Sequence, residues 1–235
     1  MPRSRLATTL VALPIVALLL GLGTWQLQRL AWKQDLIATM DARLRTAPQL
    51  LDQALAMPAE DREWRRVMAA GRFLHERQVA LYRMSRDGEP GYHLLVPLRL
   101  TDGRAVLVDR GFVPADLVEP EARPGSEPRG LVWVTGVLRP PETAASFTLA
   151  NDSGSGAWYW IDLPALAGAM EIDLLPLVVH ADAGAAGSWP QGGQAEFRPS
   201  NNHLQYALTW YGLAAVGLVI YVLLLRKRPP RGPAS

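Results

Sequence analysis

Residues 6–28 and 204–225 are two uncharged apolar stretches, one near each end of a 235-residue chain. A helix needs about 20 mostly apolar residues to cross the roughly 30 Å hydrocarbon layer, because each backbone N–H and C=O there must be bonded within its own segment. Both stretches therefore read as membrane-spanning helices, with the lipid bilayer as the first partner. Arg3 and Arg5 precede the first; Arg226, Lys227, Arg228 and Arg231 follow the second, and neither tail holds Asp or Glu. The positive-inside rule then keeps tails 1–5 and 226–235 cytoplasmic and puts residues 29–203 on the far side. A cleaved signal peptide is the other reading of the first stretch, with Arg3 and Arg5 as its basic region and Gly21 and Gly23 at the cleavage site. The length of the run and Trp25, standing where an interfacial aromatic anchor belongs, favour the spanning helix.

Between the spans, 18 basic residues stand against 22 acidic ones, a balance of −4, so the overall +2 comes from the tails. That basic excess sits where anionic lipid headgroups lie. No strongly basic face is left to grip phosphates, and a nucleic-acid partner is not expected. The chain has no cysteine, which removes disulfides and thiolate metal sites and leaves stability to packing.

The juxtamembrane residues 32–44 carry Leu36, Ile37, Met40 and Leu44 at helical spacing, and residues 50–57 read as a second, short helix. Strands are predicted over 65–73, 78–83, 92–100, 104–110, 131–138, 157–161 and 175–180. Asp102-Gly103 between two alternating runs predicts a hairpin, since Gly accepts the positive φ of a tight turn. Residues 86–91 and 118–130 read as loops. Residues 163–170 read as a short helix with Asp162 as N-cap and Pro164 in the first turn. Residues 183–200, rich in Gly, Ala and Gln, read as a flexible lead into the second span. The expected fold is an α+β membrane protein, with two terminal transmembrane helices flanking a mainly antiparallel β extracytoplasmic domain, an open sheet or small barrel, with short helices.

The chain contains no GxSxG, P-loop or GxGxxG pattern, and His75-Glu76 lacks the second histidine of a zinc-protease motif. No enzymatic activity is expected, and the scattered His75, His93, His180 and His203 do not spell a zinc site. Asp109-Arg110-Gly111-Phe112 ends a strand on which Asp109 and Arg110 point to opposite faces. Either Arg110 is a buried clamp on loop carbonyls and Gly111 permits a turn, or the motif is a surface that grips a partner. Trp158-Tyr159-Trp160 reads as core plus a cap on the barrel end, or as a stacking platform for a ligand. His203 opens the second span, with Tyr206, Trp210 and Tyr211 following. It is either a polar residue in an aromatic interfacial belt or an axial ligand to iron, its macrocycle among those side chains and its propionates near Arg198.

Six motifs stand in order along the chain. Gly23-Thr24-Trp25-Gln26 with Arg29 and Trp32-Lys33 leaves the first span, and Glu63-Trp64-Arg65-Arg66-Val67 follows with Gly71 and Phe73. Gly91-Tyr92 precedes Pro97-Leu98, and Val108-Asp109-Arg110-Gly111-Phe112-Val113-Pro114 comes next. Gly136 with Leu138-Arg139, then Asn202-His203-Leu204 with Tyr206-Ala207-Leu208-Thr209-Trp210-Tyr211, complete the series. In this order between two spans they resemble the Surf1 family, also called Shy1, of cytochrome c oxidase assembly factors. The resemblance implies a membrane-anchored factor for a haem-copper (aa3-type) oxidase that receives haem a and passes it to subunit I, with the haem a synthesis enzymes as further partners. It implies His203 as the haem-iron ligand; position along the chain puts Arg198, Tyr206 and Trp210 beside it, and a partner-facing or structural role is expected for Trp25, Arg29, Asp109, Arg110, Gly111 and Phe112. A cofactor-free scaffold that stabilises immature subunit I is the alternative. Arg outnumbers Lys 22 to 2 and the chain opens almost on its first span, so the expectation is a bacterial protein in the plasma membrane, its domain periplasmic.

Overall fold

The computed structural model describes residues 3–85, 87–145, 148–194 and 201–226, and the chain divides into two units, Met1–Thr39 with Arg198–Ser235 and Met40–Phe197. The first unit is built on helix α1 (Arg3–Leu44), which carries the apolar and juxtamembrane stretches in one piece, and on helix α5 (His203–Arg226). Both are long and apolar enough to cross a membrane, with mean hydropathies of 2.3 and 2.1. With no hydrophobic drive between helices in lipid, such helices associate through small residues and interhelical hydrogen bonds, and both are present. Ala207 and Ala214 of α5 are buried, and a Cβ on Gly23 of α1 would lie 2.8 Å from the Tyr211 ring. Thr24 Oγ1 and Tyr211 Oη pair at 3.1 Å, and Thr9 Oγ1 and Tyr221 Oη at 3.0 Å.

The second unit starts with the last residues of α1, where Met40 and Leu44 pack on Trp64 and Val137. A short strand β1 (Gln49–Leu50) and helices α2 (Leu51–Leu55) and α3 (Ala59–Arg62) lead into strands β2 (Arg66–Phe73), β3 (Val79–Met84), β4 (Pro90–Leu100) and β5 (Ala105–Val113). Then come β6 (Val132–Arg139), helix α4 (Leu163–Met170) and β7 (Val178–Ala181). The order β1-β2-β6-β7-β5-β4-β3 closes on itself because β2 also pairs with β4, so β2, β6, β7, β5 and β4 make a small barrel with β1 and β3 added outside. All pairs are antiparallel except β1–β2 and β5–β7.

Alternation along β5 divides the core. Val106 and Val108 join Val67, Ala69, Leu98, Val134, Leu138 and Val179 in one cluster, with Leu51 and Ala54 of α2 against it. Leu107 points the other way, joining Leu81, Leu95 and Val178 under Trp158, Ile161 and the apolar side of α4. The hairpin forms at Asp102-Gly103, with Gly103 at φ +92° and Asp102 Oδ1 accepting from Arg104 N at 3.0 Å. Asp162 caps α4 by accepting from Ala165 N at 3.2 Å.

Two expectations fail. Residues 157–161 form no strand: Trp158 meets β3 only through a bridge at Leu81. Side chains take up the local backbone instead, with Asn151 Oδ1 accepting from Tyr159 N, Asn151 Nδ2 donating to Trp160 O, and Glu142 Oε2 accepting from Ile161 N. Such side-chain bonds compete with a strand ladder for the same groups. Trp158 itself is core, 3% exposed. The lead 183–200 is in part built into the barrel, for Gln191 pairs with Phe112 in both directions (2.9 and 2.8 Å) and Gly193 N donates to Ala181 O. Residues 195–200 lie outside the described residues.

Candidate functional site

The Asp109-Arg110-Gly111-Phe112 motif is a bulge. His93 of β4 faces Phe112 while Leu95 faces Asp109, so β5 holds one residue more than its partner over this stretch. Gly111 takes φ +113°, a left-handed value open to glycine. The extra residue returns Asp109 and Phe112 to the same side as His93. His93 Nδ1 donates to Asp109 Oδ2 at 2.8 Å, His180 Nδ1 of β7 lies 3.0 Å from the same oxygen, and Gly111 N donates to Asp109 Oδ1 at 2.9 Å. The parallel register that pairs Asp109 with His180 supplies the second imidazole, and the Phe112 ring stands edge-on to His93. Burial would raise the Asp109 carboxyl, but the charge and hydrogen bonds of His93 and His180 overcome it and hold the group far below the usual carboxylate range.

Arg110 points away from that cluster. Its Nη2 donates to Ser126 O at 2.6 Å and its guanidinium lies 5.1 Å from the Phe73 ring centroid. Buried Arg123 holds the same loop from within, donating to Ser126 Oγ, Gln78 Oε1 and Leu117 O. Burial, with Arg123 nearby, pushes the Arg110 pKa down to about 10 despite Glu127. This is the loop clamp, yet the other reading keeps a foothold: Arg110 also lines a cleft of about 330 Å³ with Phe73, Trp189 and the exposed Trp133. Arg110→Ala is expected to lower domain stability by about 1–3 kcal/mol, the cost of leaving a part-buried carbonyl without its charged donor, read as a lower Tm and faster proteolysis in residues 114–130. A variant that melts like the parent yet supports no partner assembly would instead make Arg110 part of a contact surface.

In the first unit His203 opens α5, half-buried, and its Nδ1 lies 2.7 Å from Gln26 Oε1 of α1. An amide oxygen only accepts, so Nδ1 carries the proton. His203 Nε2 has no hydrogen-bond partner among the described residues and is not walled off from solvent. Tyr206 is 55% exposed and Trp210 half-buried on the following turns. Trp25 is 52% exposed, and Arg29 stacks over the Trp32 ring at 4.3 Å. Arg198 lies outside the described residues.

Sequence reasoning missed His93, His180, Arg123 and Gln26 as members of these clusters. Only Gln26 left a usable signal, an amide inside a mostly apolar run where a polar group needs a partner. The histidines and Arg123 meet their partners through register and loop packing, which local patterns do not encode.

A family model described as the SURF1 family matches residues 13–215. The chain is 35% identical to a SURF1-like protein of Monosiga brevicollis over 93% of its own length and 87% of the relative's. It is also 35% identical to Surfeit locus protein 1 of Mus musculus (92% of this chain, 75% of the relative). For Surfeit locus protein 1 of Homo sapiens the identity is 34% (90% and 75%).

Proposed function

This chain belongs to the SURF1 family, and from that premise we propose that it is a membrane-anchored assembly factor for a haem-copper (aa3-type) cytochrome c oxidase, binding haem a and assisting its insertion into subunit I. The observation that carries the haem reading is the His203 imidazole, protonated on Nδ1 toward Gln26 and keeping an available lone pair on Nε2. Haem a, if bound, would supply an iron that accepts such a nitrogen and a macrocycle that favours apolar surroundings. His203 would hold the iron, and Tyr206 and Trp210 offer aromatic surface on the same helix. Arg198 is the residue proposed to meet the propionates.

A cofactor-free scaffold that stabilises immature subunit I is the second reading, and one feature favours it: the same hydrogen bond ties α5 to α1, as a purely structural latch would. Protein co-expressed with the haem a synthesis enzymes and purified in detergent separates the two by its visible spectrum. His203→Ala is expected to lose bound haem while still inserting and folding, and His75→Ala to keep it. His93 and His180 make poor controls because each holds Asp109. Full haem with an unchanged spectrum in His203→Ala would end the ligand assignment and leave the scaffold.

The proposed location is the bacterial plasma membrane, both termini cytoplasmic and the β domain periplasmic, supported by basic tails that hold no Asp or Glu. A phosphatase fused after Gly130 should be active and one fused after Ser235 inactive; the opposite result at either site overturns this topology.

A further inference from the structure

We infer that Gln26 is the positioning residue of the His203 site, its amide oxygen holding the imidazole in the Nδ1–H tautomer so that Nε2 is presented as the electron-pair donor. The inference rests on the reading that His203 ligates haem iron. A neutral imidazole carries one N–H, and either nitrogen can hold it. At 2.7 Å from an oxygen that can only accept, Nδ1 is the protonated one and Nε2 the bare one. The same bond limits ring rotation, so the ligand nitrogen is oriented before any iron arrives. Metal-bound histidines generally need such an outer partner on the second nitrogen, for ring orientation and for basicity.

Gln26 is itself held in place. Two residues earlier in α1, Thr24 bonds Tyr211 of α5 at 3.1 Å, and Gly23 lies against the same ring, where any side chain would collide. These contacts set the register of α1 against α5 within one turn of Gln26. An amide next to Trp25 and Leu27 in a run bound for lipid is costly unless bonded. Its partner is the one histidine in the span pair.

The test uses the full chain in detergent, titrated with haem a, and compares Gln26→Leu, Gln26→Glu and His203→Ala with the parent. Gln26→Leu removes the acceptor with little change in size. Its haem affinity should fall about 10- to 100-fold, with loss of the axially ligated spectrum. Gln26→Glu keeps an acceptor and strengthens it, so binding should be retained while the midpoint potential shifts to lower values as the imidazole becomes a stronger donor. A merely structural tie between the helices would lower the Tm of Gln26→Leu without moving the potential of Gln26→Glu. If His203→Ala keeps its haem, the ligand reading falls and this inference with it. If His203→Ala loses haem while Gln26→Leu binds with parental affinity, the positioning role alone is overturned. Should Gln26→Leu fail to accumulate, Gln26→Glu decides: an unchanged potential overturns the inference.

Discussion

Asp109→Ala is expected to unfold the β domain or leave it marginal. Asp109 is 2% exposed and its Oδ2 serves His93 and His180 together, while Oδ1 takes Gly111 N. Removing it strands two imidazoles and a backbone N–H without a partner. Breaking a buried, hydrogen-bonded charged cluster by deleting one member costs about 3–5 kcal/mol, against a total of about 5–15 kcal/mol for a typical domain. Asp109→Asn should fare little better, because an amide whose oxygen serves the histidines turns its NH2 toward Gly111 N, donor against donor.

The pH dependence of this cluster has a definite sign. The folded carboxyl is held far below its usual range, the imidazoles outweighing burial. Its stabilisation is therefore fully present above the unfolded pKa of about 3.9 and is lost as pH falls below that value toward the depressed folded one. Glu142 adds to the same trend, since Arg83 and the Ile161 N–H hold its carboxyl down against burial. Melting the parent from about pH 7 down to about pH 3 should show the fall, and Asp109→Ala should start lower with a shallower slope. Equal Tm values at neutral pH would show that the cluster contributes nothing to stability.

Gly111→Ala is expected to be nearly as damaging, for a backbone reason. At φ +113° an added Cβ would lie 2.0 Å from Gln191 O and 2.3 Å from Gln191 C, both backbone atoms with no rotamer to escape through. The residue would have to leave a conformation open essentially to glycine, at about 1–3 kcal/mol, or push Gln191 away and break both of its hydrogen bonds to Phe112. Either path disturbs the bulge that aims Asp109 at His93. A lowered Tm with new proteolysis in residues 183–194 is the expected result. A variant that melts like its parent would mean that this strand end adjusts freely.

Much of the fold was legible because its signals are local. Unbroken apolar length specified α1 and α5, Asp102-Gly103 specified its hairpin, and Asp162 with Pro164 specified the start of α4. Each depends on chemistry within a few residues of chain. The predicted strand at 157–161 failed for the complementary reason. Its aromatic residues suit a sheet, but the side chains of Asn151 and Glu142, outside the segment, bond its backbone groups instead.

The sequence alone determined that this chain has two membrane-length helices around a β-rich domain, and its ordered motifs pointed to the SURF1 family that residues 13–215 match. Tertiary structure decided what those motifs do. An alternating pattern cannot reveal that Gly111 adds a residue to β5, because a bulge is defined against a partner strand. Nor can it show that the pairing of β5 with β4 on one side and β7 on the other brings His93 and His180 onto one carboxylate. His203 stood out by its place at a helix end, but its hydrogen bond to Gln26, and with it the nitrogen it can offer, exists only because two segments from opposite ends of the chain lie side by side.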